Sequence, residues 1–559
     1  MTAPRAPLTP TLPIGRIADP THVPCAAPLR WSRGNLSEFL PGVVTPLTWD
    51  FWSHSERAGR RIYYRLGLAT RAELTPPSDP ASRTTNVFHG RPVANVDALR
   101  GFIDRAPGDA GDSFERQLLG ESDLPKGAPR RVRKRTAQMT AKTLLWTLTF
   151  PRELERTARE TDAWWRGIVT RTRDADLDAC KAMLTEIVER LVAVSVVAGF
   201  GTLGGQIAFA RLEAAVPEAR RSALPELVSA GAALAELQLL DALWETAHGK
   251  RSLSAFLTEY GFYGPSAGEC SEPSWRESPS QLNDVIAGFQ TTGAAQRPSA
   301  RSAERHARAA RALDTVSATM SPRARRNLVR AVKRVERYTV WREAGKAASL
   351  QAYDAMRATA RRMGQLLVTS GDLRDVDDIF YFTLGELAAA PLSDMEATAH
   401  WRRARRQFYS ELTMPDAFIG EPIVHLARAH EADAGAAPPL AAGESLQGTG
   451  VSPGIVEGFA RIVRDPRRAG HLRAGDILVC AVTDPAWSAL FARAGGLVTD
   501  IGGMLSHGAV IARELGLPAV VNTRGGTARI PDGARVRIDG SSGAVTILAP
   551  PSDNGGAKP

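Results

Sequence analysis

From about residue 31 to 430, apolar residues recur at three-to-four spacing among Arg, Glu and Ala. The period is clearest over 151–195, 221–262, 301–369 and 396–412, and it predicts amphipathic helices. In the run 324–332 (ARRNLVRAV), Leu328, Val329 and Val332 form the apolar side of a helix with a basic outer face. An Ala/Gly/Pro-rich stretch, 431–445 (EADAGAAPPLAAGES), then reads as a linker. Beyond it the pattern changes to short β segments punctuated by glycine, at 458–463, 476–480, 497–500, 519–522, 534–538 and 544–548, with helices expected near 485–494 and 507–515. The expected fold is multidomain. A Pro-rich tail (1–30) precedes a large, mainly α-helical domain (31–430). The linker leads to a small α/β module (446–549) and a polar, disordered tail (550–559). No unit of 20–50 residues repeats.

One charge-free stretch, 191–210 between Arg190 and Arg211, has the length of a bilayer span. It also holds Gly199, Gly201, Gly204 and Gly205 with Ser195, Thr202 and Gln206, which predicts a buried, closely packed helix or helix pair instead. The first 30 residues carry seven prolines and lack the charged-then-apolar layout of a signal peptide. No membrane association is expected, and the expected location is cytoplasmic.

Composition narrows the class. A chain of 559 residues suggests three or four domains, and 43% hydrophobic with 23% charged residues excludes a disordered or fibrous chain. The four cysteines, Cys25, Cys180, Cys270 and Cys480, lie far apart without a CxxC pair, which argues against a disulfide framework or zinc knuckle and fits a reducing cytosol. A formal charge of +10 is a modest excess at this length, attractive to anions and in keeping with an Arg-rich composition. The basic run 130–135 (RRVRKR) has no interleaved aromatics, so it reads as a solvated helix start, and no nucleic-acid partner is expected.

The chemistry concentrates in 502–520 (GGMLSHGAVIARELGLPAV), which reads as a tight glycine turn, a helix and a Gly-x-Pro return to a strand. Gly502 and Gly503 let the backbone turn sharply and leave space beside the next side chain. Ser506 fits an N-cap, which puts His507 in the first helical turn, where backbone N–H groups and the helix dipole favour an anion. A neutral imidazole there is a good nucleophile toward phosphorus. Arg513 is expected to pack on the sheet side or to pair with Glu514.

This string resembles the phosphohistidine (mobile, swivelling) domain of the phosphoenolpyruvate-utilising enzymes, the family of pyruvate phosphate dikinase, phosphoenolpyruvate synthase and rifampicin phosphotransferase. Supporting segments are 450–454 (GVSPG) with Gly458, 475–479 (GDILV), 483–487 (TDPAW), where Asp484 and Pro485 fit a helix start, and 494–500 (AGGLVTD). The resemblance implies that His507 is transiently phosphorylated, with Gly502, Gly503, Ser506 and Arg513 supporting its loop. Leu505 stands where the dikinases usually have threonine, so no threonine-dependent contribution carries over.

The preceding region is similar to the central substrate-binding domain of the same family. The segments are 33–49 (RGNLSEFLPGVVTPLTW), His89-Gly90-Arg91 with Asn95, Tyr260-Gly261 with Gly264-Pro265, 273–276 (PSWR) and 372–380 (DLRDVDDIF). Relatives tend to read Gly-Pro-Gly-Glu in the third block. Here Ser266 and Ala267 follow Pro265, and Glu269 is displaced. Arg33, Asn35, Glu38, Thr45 and Trp49 are the candidate substrate-binding residues. Capping and turn roles serve Asn35, Glu38 and Thr45 equally well, and core packing suits Trp49, Trp52 and Trp275. Asp375, Asp377 and Asp378 read as helix-start and turn residues, and no metal site is expected.

Full-length relatives carry an ATP-grasp domain ahead of the central domain, and the phosphoenolpyruvate enzymes need a pyruvate-binding barrel. The segments preceding Arg33 and following the module are too short for either. The resemblance therefore implies a phosphotransferase component that relays a phosphoryl group through His507 to a small-molecule acceptor. A separate ATP-grasp protein would charge it from ATP and Mg2+, with no cofactor bound by this chain itself. The alternatives are a phosphorylation-driven ligase or synthetase component in secondary metabolism, and a non-catalytic binding protein.

Overall fold

A computed structural model describes residues 17–551 except 38, 108–110, 113, 116–123, 126, 128–134, 230–233, 267, 428–437, 467–468, 470–471 and 484–486. Glu38, most of the basic run 130–135, and Asp484 and Pro485 lie outside the described residues, as does the side chain of Asn35.

The first region is mainly helical, as its periodicity predicts. The elements that matter here are α1 (Pro46–Ser53), α2 (Thr136–Thr172), α3 (Leu177–Ala215), α4 (Ala235–Ala247), α5 (Pro298–Ser317) and α6 (Pro322–Ser370). Local sequence sets their ends. Asp176 accepts from the Ala179 amide and starts α3, which breaks the periodic stretch 151–195 into two helices. Ser321 caps α6 and Pro322 opens it, and Gly371 closes it in the left-handed region at φ 87°.

The apolar stretch 191–210 lies inside α3 and packs along α6. Its glycines make the close approach possible. A Cβ on Gly204 would fall 2.0 Å from the Tyr338 ring, and one on Gly345 of α6 would fall 2.7 Å from the Ala198 backbone. Leu191, Val192, Val194, Val196, Val197, Phe200 and Ala208 are buried. Among the described residues α3 is the one helix long and apolar enough to cross a membrane, and over half of its most apolar window is covered by the rest of the protein.

Strands occur where the sequence pattern shows none. β1 (Arg30–Ser32), β2 (Thr85–Phe88), β3 (Arg91–Asn95), β4 (Leu412–Thr413), β5 (Ala417–Ile419) and β6 (His425–Leu426) are short, and four of them form a sheet in the order β2-β3-β1-β5. Residues 17–29 run along this sheet and are not a detached tail. The Val23 amide donates to the Val87 carbonyl at 2.9 Å, and Cys25 is buried with Trp31, Phe88 and Phe418. Pairing of β1 with β5 closes the helical region on itself.

The C-terminal module holds β7 (Ser445–Gln447), β8 (Thr449–Ser452), β9 (Ile455–Ile462), β10 (Ile477–Cys480), β11 (Gly496–Thr499), β12 (Ala519–Val521), β13 (Arg535–Asp539) and β14 (Ala544–Ala549). They form one sheet, β7-β14-β13-β9-β10-β11-β12-β8, parallel from β9 to β12 and antiparallel at both flanks. The latter part of the stretch expected as a linker belongs to this module. Leu440 is buried in its core, and the Leu440 amide donates to the Arg529 carbonyl at 2.8 Å. A short helix, α7 (His507–Glu514), covers the sheet near β8 and β12. The fold class is thus the expected one, a large helical region followed by an α/β module.

Candidate active site

The loop between β11 and α7 is tied down by ordinary hydrogen bonds. Asp500 accepts from the Thr523 hydroxyl and the Thr527 amide, each at 3.1 Å, and Thr499 donates to the Ile501 carbonyl at 2.8 Å. Gly502 sits at φ 145°, a conformation that favours glycine, and a Cβ there would press on the Ser506 hydroxyl at 3.0 Å. Ser506 occupies the N-cap position in an extended conformation, but its side chain makes no capping bond. His507 is the first residue of α7, as its sequence context requires.

His507 is only 5% exposed, because the module is docked on the helical domain. One hydrophobic core runs without a break from Trp244 and Phe289 to Trp487, Phe491 and Ala512. His507 Nδ1 stands 4.0 Å from Glu236 Oε1 of α4, and Glu343 of α6 completes the group. Arg342 donates to Glu343 from Nε at 2.8 Å and also bonds the Leu505 carbonyl of the His507 loop. Arg342 thus joins the two domains beside the histidine.

Electrostatics set the two carboxyls apart. Burial, then the charge of Glu343 and a hydrogen bond to it, push Glu236 well above the usual carboxylate range. Burial works against the charge of Glu343 as well, but Arg342, the bond from Glu236, Lys346 and His507 outweigh it and hold Glu343 low and ionised. Glu236, Glu343 and His507 each bring a ligating atom within 4.8 Å of the others, close enough to share a cation. Arg342 and Lys346 already supply positive charge at that place.

The far end of α7 is docked too. Glu514 is buried and accepts from Ser302 of α5 at 2.8 Å and from Ser229 at 3.3 Å. Arg513 packs on the sheet side and donates to the Val451 carbonyl of β8 at 3.2 Å. Burial, with Arg305 nearby, drives its guanidinium down to about 9.

The remaining sequence-derived candidates gather elsewhere. Thr45 caps α1 and does not touch His507. Its amide (3.1 Å) and hydroxyl (2.8 Å) bond Glu269, which also accepts from the Thr48 hydroxyl (2.7 Å) and from Ser271. Burial disfavours this carboxylate, yet Arg406 and the hydroxyls keep it ionised below its usual range. Glu269, displaced in sequence, is therefore brought to the Thr45 motif. Beside it Leu40, Val43, Tyr381 and Arg406 line a cavity of about 430 Å3. Arg33 staples the motif, donating to the Pro41 carbonyl at 3.2 Å and pairing with Asp416 at 3.4 Å. Trp49 is core, packed on Trp52 at 5.8 Å between ring centroids, and Trp275 is buried. Asp375 caps a short helix, Asp377 pairs with Arg361 and Asp378 with Arg403.

Arg357 bonds the Glu269 carbonyl, and Arg357 lies fourteen residues beyond Glu343 on α6. At 1.5 Å per residue that is about 21 Å, so the motif cluster and the histidine are separate places on one helix. Sequence reasoning missed Glu236, Glu343 and Arg342. The available signal was an acid inside an apolar helical stripe, since Glu236 shares its face with Leu240, Leu243 and Ala247, all buried.

A histidine opens a helix on a small α/β module that is docked against a large helical domain. Residues 472–543 match the family described as PEP-utilising enzyme, mobile domain, and residues 211–343 match the rifampicin phosphotransferase fourth domain. Two segments of the chain are thus similar to domains of the PEP-utilising enzymes and of rifampicin phosphotransferase. An uncharacterized protein of Mycobacterium tuberculosis is 37% identical over 218 residues, 39% of this chain and 24% of the relative. A rifampicin phosphotransferase of Streptomyces sviceus is 31% identical over 337 residues, 58% of this chain and 38% of the relative. An uncharacterized phosphotransferase of Bacillus subtilis, YvkC, is 35% identical over 191 residues, 34% and 23% respectively. The chain spans well under two thirds of the curated relatives it matches.

Proposed function

We propose that this chain is a phosphotransferase component in which His507 accepts a phosphoryl group and delivers it to a small-molecule acceptor at the interface with the helical domain. The observation that carries the reading is where the two matched segments meet. His507 of the mobile-domain segment is buried against Glu236 and Glu343 of the fourth-domain segment, beside Arg342. Imidazole is the nucleophile that takes the group. Arg342 and Lys346 are placed to offset the charge that phosphorylation adds.

In this reading His507 is charged in the cytosol from ATP and Mg2+ by an ATP-grasp protein on a separate chain. The module then swings back to the docked state described here. The name of the Streptomyces relatives suggests rifampicin as the first acceptor to try. The test is to incubate the chain with ATP, Mg2+, an ATP-grasp partner and rifampicin, and to follow phosphorylated product by mass spectrometry. Product that forms with the native chain and disappears with His507→Ala supports the proposal. Product formation undiminished by His507→Ala would refute it.

A further inference from the structure

Two oxygens at the interface pose a question that phosphohistidine chemistry alone does not answer. Glu236 and Glu343 are each 1% exposed, and among the described residues no group outside the pair donates a hydrogen bond to Glu236 Oε2 or Glu343 Oε2. An unsatisfied buried carboxylate oxygen is costly. A single proton held between the two carboxyls removes the cost, since one becomes a donor and the other its acceptor. The two sit in different surroundings. Glu343 has Arg342 beside it, whereas Glu236 faces His507 Nδ1. Arg342, Lys346, Tyr263, His507 and the partner carboxyl are the charged and titratable groups around the pair. Arg342 and His507 favour the charged form of Glu343, Lys346 favours that of both carboxyls, and the charge of Glu343 leaves the proton on Glu236.

We propose that Glu236 and Glu343 are the acid and the base of phosphoryl transfer, Glu236 protonating the departing His507 imidazole at Nδ1 while Glu343 takes the hydroxyl proton of the acceptor. The inference rests on the phosphohistidine reading above and assigns the phosphoryl group to Nε2, because Nδ1 is the nitrogen that faces Glu236. In the step the P–N bond breaks as the acceptor oxygen bonds phosphorus. The acceptor proton passes to the Glu343 carboxylate and the Glu236 proton to Nδ1. The products are a phosphate ester, a neutral imidazole, ionised Glu236 and protonated Glu343. Return of one proton from Glu343 to Glu236 restores the starting state and leaves Nε2 with its lone pair for the next charging. Two carboxyls whose surroundings drive their proton affinities apart are a recurring form of acid–base pair.

The test uses the full chain charged chemically with phosphoramidate, with water as the acceptor and EDTA present. Loss of phosphoryl from His507 is followed by intact mass against pH in the native chain, Glu236→Gln and Glu343→Gln, with Glu457→Gln on the exposed face of the module as a control. The native chain and the control should lose the group on the order of a hundredfold faster than either pair variant. The native rate should fall as pH rises through the titration of Glu236, and that limb should be missing in Glu236→Gln. Equal rates and equal pH profiles with His507 labelled would overturn the acid–base pair and leave the phosphohistidine intact. Labelling of other histidines but never of His507 would overturn both. Should Glu236→Gln not fold, Glu343→Gln carries the same comparison.

Discussion

Ser302 of α5 donates to Glu514 of α7 at 2.8 Å, so the helix that begins at His507 is held to the helical domain at its other end as well. Glu514 is 2% exposed and also accepts from Ser229. The docked position is therefore fixed at two points along α7, with Arg342 bonded to the Leu505 carbonyl at the histidine end.

Removing the Ser302 hydroxyl leaves a buried carboxylate short of a donor. Ser302→Ala should shift the docking equilibrium toward the open state by about 1–3 kcal/mol. Fluorescence energy transfer between dyes on the module and on α6 reads this directly. The transfer efficiency should fall while helical content stays unchanged.

Gly345 tests the contact between α3 and α6. A methyl group there meets the Ala198 backbone at 2.7 Å, so Gly345→Ala should lower stability by about 1–3 kcal/mol, read as an earlier denaturant midpoint. Gly167 in α2 has open space beside it, and Gly167→Ala should raise stability by roughly 0.5–1 kcal/mol.

Glu269 gives a prediction with a definite sign in pH. Its folded-state proton affinity is depressed, so its contribution is present above the unfolded value, about pH 4.3, and is lost as pH falls through the lower folded value. Thermal melts of the native chain should therefore drop more steeply on acidification below about pH 4 than melts of Glu269→Gln. Thr45→Val, which deletes one hydroxyl from the carboxylate and unmakes the α1 cap, should cost about 1–3 kcal/mol at neutral pH.

Legibility in the sequence followed the range of the interactions involved. The strands of the module from β9 to β14 are apolar runs bounded by glycine, and His507 sits in a contiguous string whose turn and helix are local. The N-terminal sheet left no such trace. Its strands are three to five residues long and drawn from residues 30–32, 85–95 and 417–419, so only tertiary pairing makes them strands. The acid–base groups were hidden for a similar reason. Glu236 and Glu343 come from two helices more than a hundred residues apart and meet His507 only when the module docks. Glu269 was noticed for its displacement, yet its bonds to Thr45 and Thr48 cross more than two hundred residues.

The central claim is that His507 carries phosphate. It is tested most directly by intact mass, at neutral-to-alkaline pH, of the chain incubated with ATP, Mg2+ and an ATP-grasp partner. The account predicts an acid-labile gain of one phosphoryl group that maps to His507 and is absent in His507→Ala. A label that survives in His507→Ala, or a chain that takes no label with any phosphoryl donor or partner, would contradict it.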